Sequence, residues 1–172
     1  MARLFVAVWL PEEVLDLVAA LPRPDVEGLR WTTREQWHVT LRFFGSVELD
    51  ETAGALRRVS APSTKAELGP EVGRFGRRIL HVPVAGLGQV AAAVVEATAG
   101  VGRPPEDRPF VGHVTLARAR DRRRGVDLRP LAGLPIGASW PVGEVCLVES
   151  HLHPHGARYE VVERISLDSG DA

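Results

Sequence analysis

An α+β fold built from two related halves is predicted by this chain of 172 residues, and three observations predict it. The tetrapeptide His-Val-Thr-Leu occurs twice, at His38 to Leu41 and at His113 to Leu116. Short β-branched, strand-like runs alternate along the chain with amphipathic, helix-like runs. The composition, 45% hydrophobic and 25% charged, is that of an ordinary globular protein long enough to bury a core without a disulfide or metal staple. The expected architecture is a bilobal, duplicated α/β unit. Two mainly antiparallel sheets flank a central groove, helices lie on the outside, and one bilobal domain covers 1–172.

The elements follow in chain order. Leu4 to Leu10 reads as a buried first strand. Pro11 suits the first turn of a helix whose positive end favours Glu12 and Glu13. Val14, Leu15, Leu17, Val18 and Leu21 give that helix one apolar face, and Pro22 and Pro24 stop it. Leu29 to Thr32 is extended. His38 to Phe44 is a strand that Gly45 ends. Leu49 to Val59 reads as a second helix with Asp50 as N-cap. Ala61 to Thr64 turns, Ala66 to Leu68 is a strand, and glycine-rich Gly69 to Gly76 is a loop. Ile79 to Val84 alternates as a strand, with Pro83 marking an edge or an end. Leu87 to Val101 is a third helix. A Pro- and charge-rich connection over 102–109 leads into a strand from Phe110 to Arg118. Arg120 to Arg129 is a polar loop, and Leu131 to Ile136 has no definite pattern. Glu144 to Ser150 and Ala157 to Ile165 form a hairpin through Pro154, His155 and Gly156. Ser166 onward reads as a tail.

Bulk properties exclude several classes of function. The net charge of −1 provides no global basic field for holding long nucleic acid, so any such contact is local. Cys146 is the only cysteine and sits in an apolar run as a small buried hydrophobe. No internal disulfide is possible, which fits a reducing compartment. The apolar run from Arg3 to Leu10 is short and meets Pro-Glu-Glu rather than a small-residue cleavage site, so a signal peptide is not expected. No stretch has the length of a membrane span. A cytoplasmic monomer with no obligate protein partner is the expectation. Lys65 is the only lysine, so clusters of arginine carry little information by themselves.

The repeat points to chemistry. On a strand, His38 and Thr40 face one way while Val39 and Leu41 face the other, and the second copy does the same with His113 and Thr115. If the apolar pairs face cores, the two His-Thr pairs are free to meet across a cleft. Two imidazoles there are a ready acid and base near neutral pH.

These residues, together with Arg3 to Val8, Pro11, Arg42 to Gly45, Gly73 to Phe75, Phe110 to Arg118, Glu149, Ser150, Gly156 and Tyr159, resemble the 2H phosphoesterase superfamily over nearly the whole chain. The specific resemblance is to the RNA 2′,3′-cyclic phosphodiesterases, also called 2′-5′ RNA ligases. It implies a bilobal fold with both motif strands lining a groove. It also implies metal-independent hydrolysis of RNA or nucleotide 2′,3′-cyclic phosphates to 2′-phosphomonoesters, with weak reverse 2′-5′ joining. In that scheme His38 is the proton donor to the leaving 3′-oxygen and His113 the proton acceptor from water. The physics of the residues does not by itself choose between the two roles. Thr40 and Thr115 donate hydroxyls to nonbridging oxygens, and Arg118 reaches the phosphate. No cofactor is implied, and the partner is an RNA with a cyclic-phosphate end or a small cyclic nucleotide. One departure stands out: the family often has Pro before the second motif His, whereas this chain has Gly112, which is expected to loosen the strand entry.

Other candidates read differently. His151, His153 and His155 alternate like metal ligands, but Pro154 and Gly156 interrupt them and no Asp or Cys partner lies at ligand spacing, so a solvated hairpin tip is expected. Trp31 and Phe43 read as core residues before base-stacking ones, and Arg122 to Arg124 as an exposed loop. Two other classes stay open: a non-catalytic RNA-end or nucleotide-binding module, and a metal hydrolase at the histidine cluster.

Overall fold

The computed structural model describes residues 1–105 and 107–168. Its strands are β1 (Ala2–Trp9), β2 (Leu29–Trp31), β3 (His38–Val47), β4 (Thr64–Leu68), β5 (Gly73–Phe75), β6 (Ile79–Ala85), β7 (His113–Ala119), β8 (Ala138–Val142), β9 (Glu144–His153) and β10 (Gly156–Ser166). Its helices are α1 (Glu12–Ala19), α2 (Leu49–Leu56) and α3 (Gly88–Ala97). The two expected sheets are halves of one ten-stranded antiparallel sheet in the order β10-β9-β1-β3-β7-β6-β4-β8, with β2 added on β7 and β5 on β6. A single residue pair, Val39 with Val114, joins the halves across β3 and β7.

Strand alternation sorts side chains onto two faces. Leu4, Val6 and Val8 of β1 enter the main core, which also takes Val14 and Val18 of α1, Leu56 of α2 and Val90 and Val94 of α3. Phe5 and Ala7 point the other way and form a small second cluster with Cys146 and Val148. Each large apolar side chain buried in this way contributes roughly 1.5–3 kcal/mol relative to exposure. No helix among the described residues is long and apolar enough to cross a membrane.

The duplication is visible in the register. In the first half Ala7 pairs with Thr40 and Val6 with Arg42, which leaves Leu41 as the extra residue of a bulge. In the second half His81 pairs with Thr115 and Leu80 with Ala117, which leaves Leu116 as the extra residue. The leucine of both tetrapeptides therefore bulges, and a bulge bends its strand and sharpens the local twist.

Several expectations are corrected. Gly45 does not end β3. It pairs with Leu4 beside a second irregularity, and the strand runs on to Val47. The N-cap of α2 is Glu48, and Asp50 lies within its first turn. The segment read as a loop over Gly69 to Gly76 contains β5, a three-residue strand whose glycine-rich composition hid it. Pro83 is not at an edge. It faces His113 on β7, and its carbonyl accepts a hydrogen bond from Gly69 N at 2.9 Å. On its other side β6 changes partner from β5 to β4, so the missing N–H falls at that change. Strand β8, interrupted in pattern by Pro141, was not anticipated; it pairs along its whole length with β4 at the end of the sheet. Residues 131–136 are irregular, with an isolated bridge between Glu71 and Pro135. Ser166 is not the start of a tail: Leu167 is buried, and Asp168 N donates to Ala61 O at 2.8 Å. The rest of that segment, 169–172, and Glu106 of the 102–109 connection lie outside the described residues.

Candidate active site

Both halves deliver their motif to the same place. Val39 and Val114 are wholly buried, so His38 and Thr40, and likewise His113 and Thr115, project from the opposite face. Because the strands run antiparallel through the Val39–Val114 pair, the histidine of each copy lies alongside the threonine of the other. All four line one cleft of about 210 Å³.

The two imidazoles are held in the same manner. His38 Nδ1 lies 2.7 Å from Gln36 O, and His113 Nδ1 lies 2.9 Å from Val111 O. In each case the partner is the carbonyl two residues earlier. A carbonyl only accepts, so Nδ1 carries the proton and Nε2 is left for chemistry. His38 Nε2 accepts from the Thr40 hydroxyl at 2.8 Å. The rings also rest on aromatic walls. Phe5, Tyr159 and Trp9 surround His38 at centroid distances of 5.0, 5.2 and 5.6 Å. The edge of Phe75 and the ring of His81 flank His113 at 4.9 and 5.4 Å.

Gly112 tightens the entry to β7 rather than loosening it. Its carbonyl accepts from Val84 N at 2.9 Å, and a Cβ at this position would stand 2.5 Å from Val84 O. Glycine is what permits this close approach, and a proline would meet the same obstacle.

Burial pushes His38 down to about 4, with further lowering by Arg118 and His113 against a raising contribution from the Gln36 carbonyl. Burial also lowers His113, as do Arg118 and Arg108, while the Val111 carbonyl raises it. His81 is likewise pushed down to about 4, by burial and then by His113. A histidine whose pKa is lower in the folded than in the unfolded chain stabilises the fold at pH values above about 6.5, and that stability is lost as pH falls towards 4. For His81, which is 6% exposed, the loss should be of the order of 2–3 kcal/mol. Urea denaturation followed from pH 7 to pH 4 should show the decline, and H81F should flatten it measurably. An equal slope in both proteins would refute the assignment.

Arg118 lines the cleft as expected, and it brings Arg30 with it as its partner across β2 and β7. The described residues lining the cleft include no carboxylate, so two guanidiniums and two imidazoles select an anion. Trp31, read mainly as core, is also in the lining, with its indole N–H donating to Pro24 O at 2.9 Å. Phe43 is not in the lining and packs on the small cluster beside Phe5. Arg122 to Arg124 lie outside the cleft. No Asp or Cys was expected beside His151, and the acidic neighbours it has are glutamates: the hairpin folds Glu160 to 3.2 Å and Glu149 to 3.9 Å from its Nε2. His151 and Glu160 are exposed and Glu149 is half-buried.

Sequence reasoning missed four residues. Thr32 Oγ1 donates to Thr115 O and Leu116 O at 2.8 and 2.9 Å and accepts from the Trp37 indole at 3.0 Å, so it clamps the bulge of β7. Gln36 donates from its amide to Ala157 O at 2.8 Å and accepts from Thr33 N at 3.0 Å. The signal for it was present, since Thr33-x-x-Gln36 is a capping box and closes the turn over Arg34–Gln36. Arg30 and His81 carry no local signal, because only strand pairing brings them to the motif.

With this geometry in view, comparison with known proteins is informative. A profile of the 2′-5′ RNA ligase superfamily matches residues 12–154. The chain belongs to this superfamily. It is 33% identical over 186 residues to a Thermus thermophilus protein named RNA 2′,3′-cyclic phosphodiesterase, covering 96% of this chain and 90% of that one. A Geobacillus stearothermophilus protein of the same name is 28% identical over 180 residues, and the chain spans 56% of its length. Among solved structures, a Thermus thermophilus protein matches 98% of this chain and 100% of its own at 31% identity and a TM-score of 0.76. Escherichia coli LigT in complex with 3′-AMP matches 96% of this chain and 98% of its own at 26% identity and a TM-score of 0.76. The α+β fold of this chain, a mainly antiparallel sheet with three α-helices among the described residues, therefore matches that of these solved structures.

Proposed function

We propose that this superfamily member hydrolyses RNA or nucleotide 2′,3′-cyclic phosphates to 2′-phosphomonoesters without a metal, with residues 1–172 acting as one bilobal domain. The observation that carries the reading is the meeting of two matched His-x-Thr pairs in a cleft whose described lining has arginines and no carboxylate. The names of the relatives and the 3′-AMP bound by LigT support the same class of substrate.

The step balances as follows. His113 Nε2 takes a proton from water, the oxygen attacks phosphorus, the bond from phosphorus to the 3′-oxygen breaks, and protonated His38 gives its proton to that oxygen. His38 ends neutral and His113 protonated, and exchange with solvent restores the starting state. In the free protein burial disfavours the imidazolium that His38 needs. A phosphodiester anion supplies the missing countercharge, so substrate binding itself raises the acid into its working range. The Thr40 hydroxyl, already within reach of His38 Nε2, turns to a nonbridging oxygen together with Thr115 and Arg118, where charge grows in the transition state. The reverse reaction joins a 5′-hydroxyl end weakly through a 2′-5′ bond. The protein works as a cytoplasmic monomer without a cofactor.

The test is an oligoribonucleotide ending in a 2′,3′-cyclic phosphate, incubated with the protein and a chelator. The expected product is a 2′-phosphate, with turnover undiminished by the chelator. A 3′-phosphate product would reverse the roles of the bonds. Tight binding with no turnover would assign a binding module instead.

A further inference from the structure

We propose that His81 is a positioning residue for His113, holding the imidazole of the second motif in place by ring contact. This rests on the acid–base reading above.

The two halves differ in what stands opposite the motif threonine. The residue opposite the motif threonine is Ala7 in the first half and His81 in the second. Strand pairing puts both on the cleft side of the sheet, next to the motif side chains. Around His38 the rings are Phe5, Trp9 and Tyr159, and none of them becomes a cation. Around His113 one of the two flanking rings is an imidazole.

His81 is tightly placed. Its ring stacks on Phe75 with centroids 3.9 Å apart and planes 25° from parallel, and it meets His113 edge to face at 5.4 Å. The edge of Phe75 touches His113 as well, at 4.9 Å and 89°. The three rings therefore form a closed triangle in which no ring can swing without displacing another. Room for it comes from Gly73, where a Cβ would lie 3.1 Å from the His81 ring. His81 is 6% exposed and its Nδ1 is buried with no hydrogen-bond partner, so a polar ring is kept where an apolar one would pack at lower cost.

Strand β7 presents His113 and Thr115, strand β5 presents Phe75, and the charge acting on His81 is that of His113. Burial and that charge keep His81 neutral near neutral pH, so it acts on His113 by ring contact. No ring stands opposite the motif threonine of the first half, where Ala7 is found.

Two variants test this, with kinetics on a cyclic mononucleotide and ring NMR of His113. H81A should lower kcat about 10- to 100-fold with KM changed less than about 2-fold, since His113 loses its orientation. H81F should recover kcat to within about 3-fold of wild type, because the ring triangle is kept. The His113 Nδ1 proton, bonded to the Val111 carbonyl, should exchange with water faster in H81A than in wild type or H81F. Wild-type kcat in H81A, or an H81F variant as slow as H81A, would overturn the proposal. A wild-type protein that never opens a cyclic phosphate defeats the hydrolase reading alone. Exchange of the His113 ring proton then still decides whether His81 holds His113.

Discussion

Alanine in place of His113 should reduce kcat for opening a 2′,3′-cyclic phosphate by about 10²–10⁴-fold, and alanine in place of His38 by a similar factor. Each ring supplies one proton transfer that water or the neighbouring threonine performs poorly. KM should change little, because the arginines and threonines that contact the phosphate remain. The double variant should lose scarcely more than either single one, as residues acting as a unit do not add. Folding is a weak confounder. Both imidazoles face the cleft rather than the main core, and removing a group that is hard to protonate when buried does not orphan a charge. Steady-state kinetics with a circular dichroism control decides the matter. A single variant with near-wild-type kcat would remove that histidine from the mechanism.

Arg42→Met should lower stability by about 3 kcal/mol and the melting temperature by roughly 6–12 °C. Arg42 is 5% exposed on β3, two residues after Thr40. The bulge at Leu41 lets its side chain cross to the helix side. There its guanidinium donates to Thr98 O and Thr98 Oγ1, both at 2.6 Å, to Val101 O at 2.9 Å and to Arg103 O at 3.2 Å. These acceptors lie in the turns just past the end of α3, where Thr98 O also accepts from Val101 N at 3.1 Å, and a cation there complements the negative end of the helix. Methionine keeps the stem but withdraws the donors from Thr98 and from the Val101 carbonyl, whose bonds to the guanidinium are buried. The motif strand is thereby cut loose from α3, so activity should fall at elevated temperature before it falls at 25 °C. A melting temperature within about 2 °C of wild type would show that water replaces the guanidinium at little cost.

The site was legible to the extent that its residues lie on one strand. His-x-Thr places two polar groups on one face whatever the surroundings, because alternation is a property of the strand itself. Thr40 and Thr115 follow from the same rule, whereas Arg118, five residues after His113, reaches the cleft because the bulge at Leu116 shifts the alternation by one. Short elements were less legible. Strand β5 has three residues, one of them Gly73, with Gly76 directly after it, and β8 carries Pro141, so local preference argued against both until pairing with β6 and β4 stabilised them. Pro83 misled for the opposite reason: its missing donor is harmless only because the strand beside it changes there.

Alone, the amino-acid order determined the strand and helix periods, the duplication, and the two polar faces, since each depends on neighbours along the chain. What only the tertiary structure decided is how the copies differ. His81 comes to His113, and Ala7 to Thr40, through pairing between strands far apart in sequence, and no periodicity encodes which side chain will face which across a sheet. The burial that lowers the imidazoles, and the arginine-lined cleft, arise in the same way. Both are sums over residues that meet only when the chain has folded.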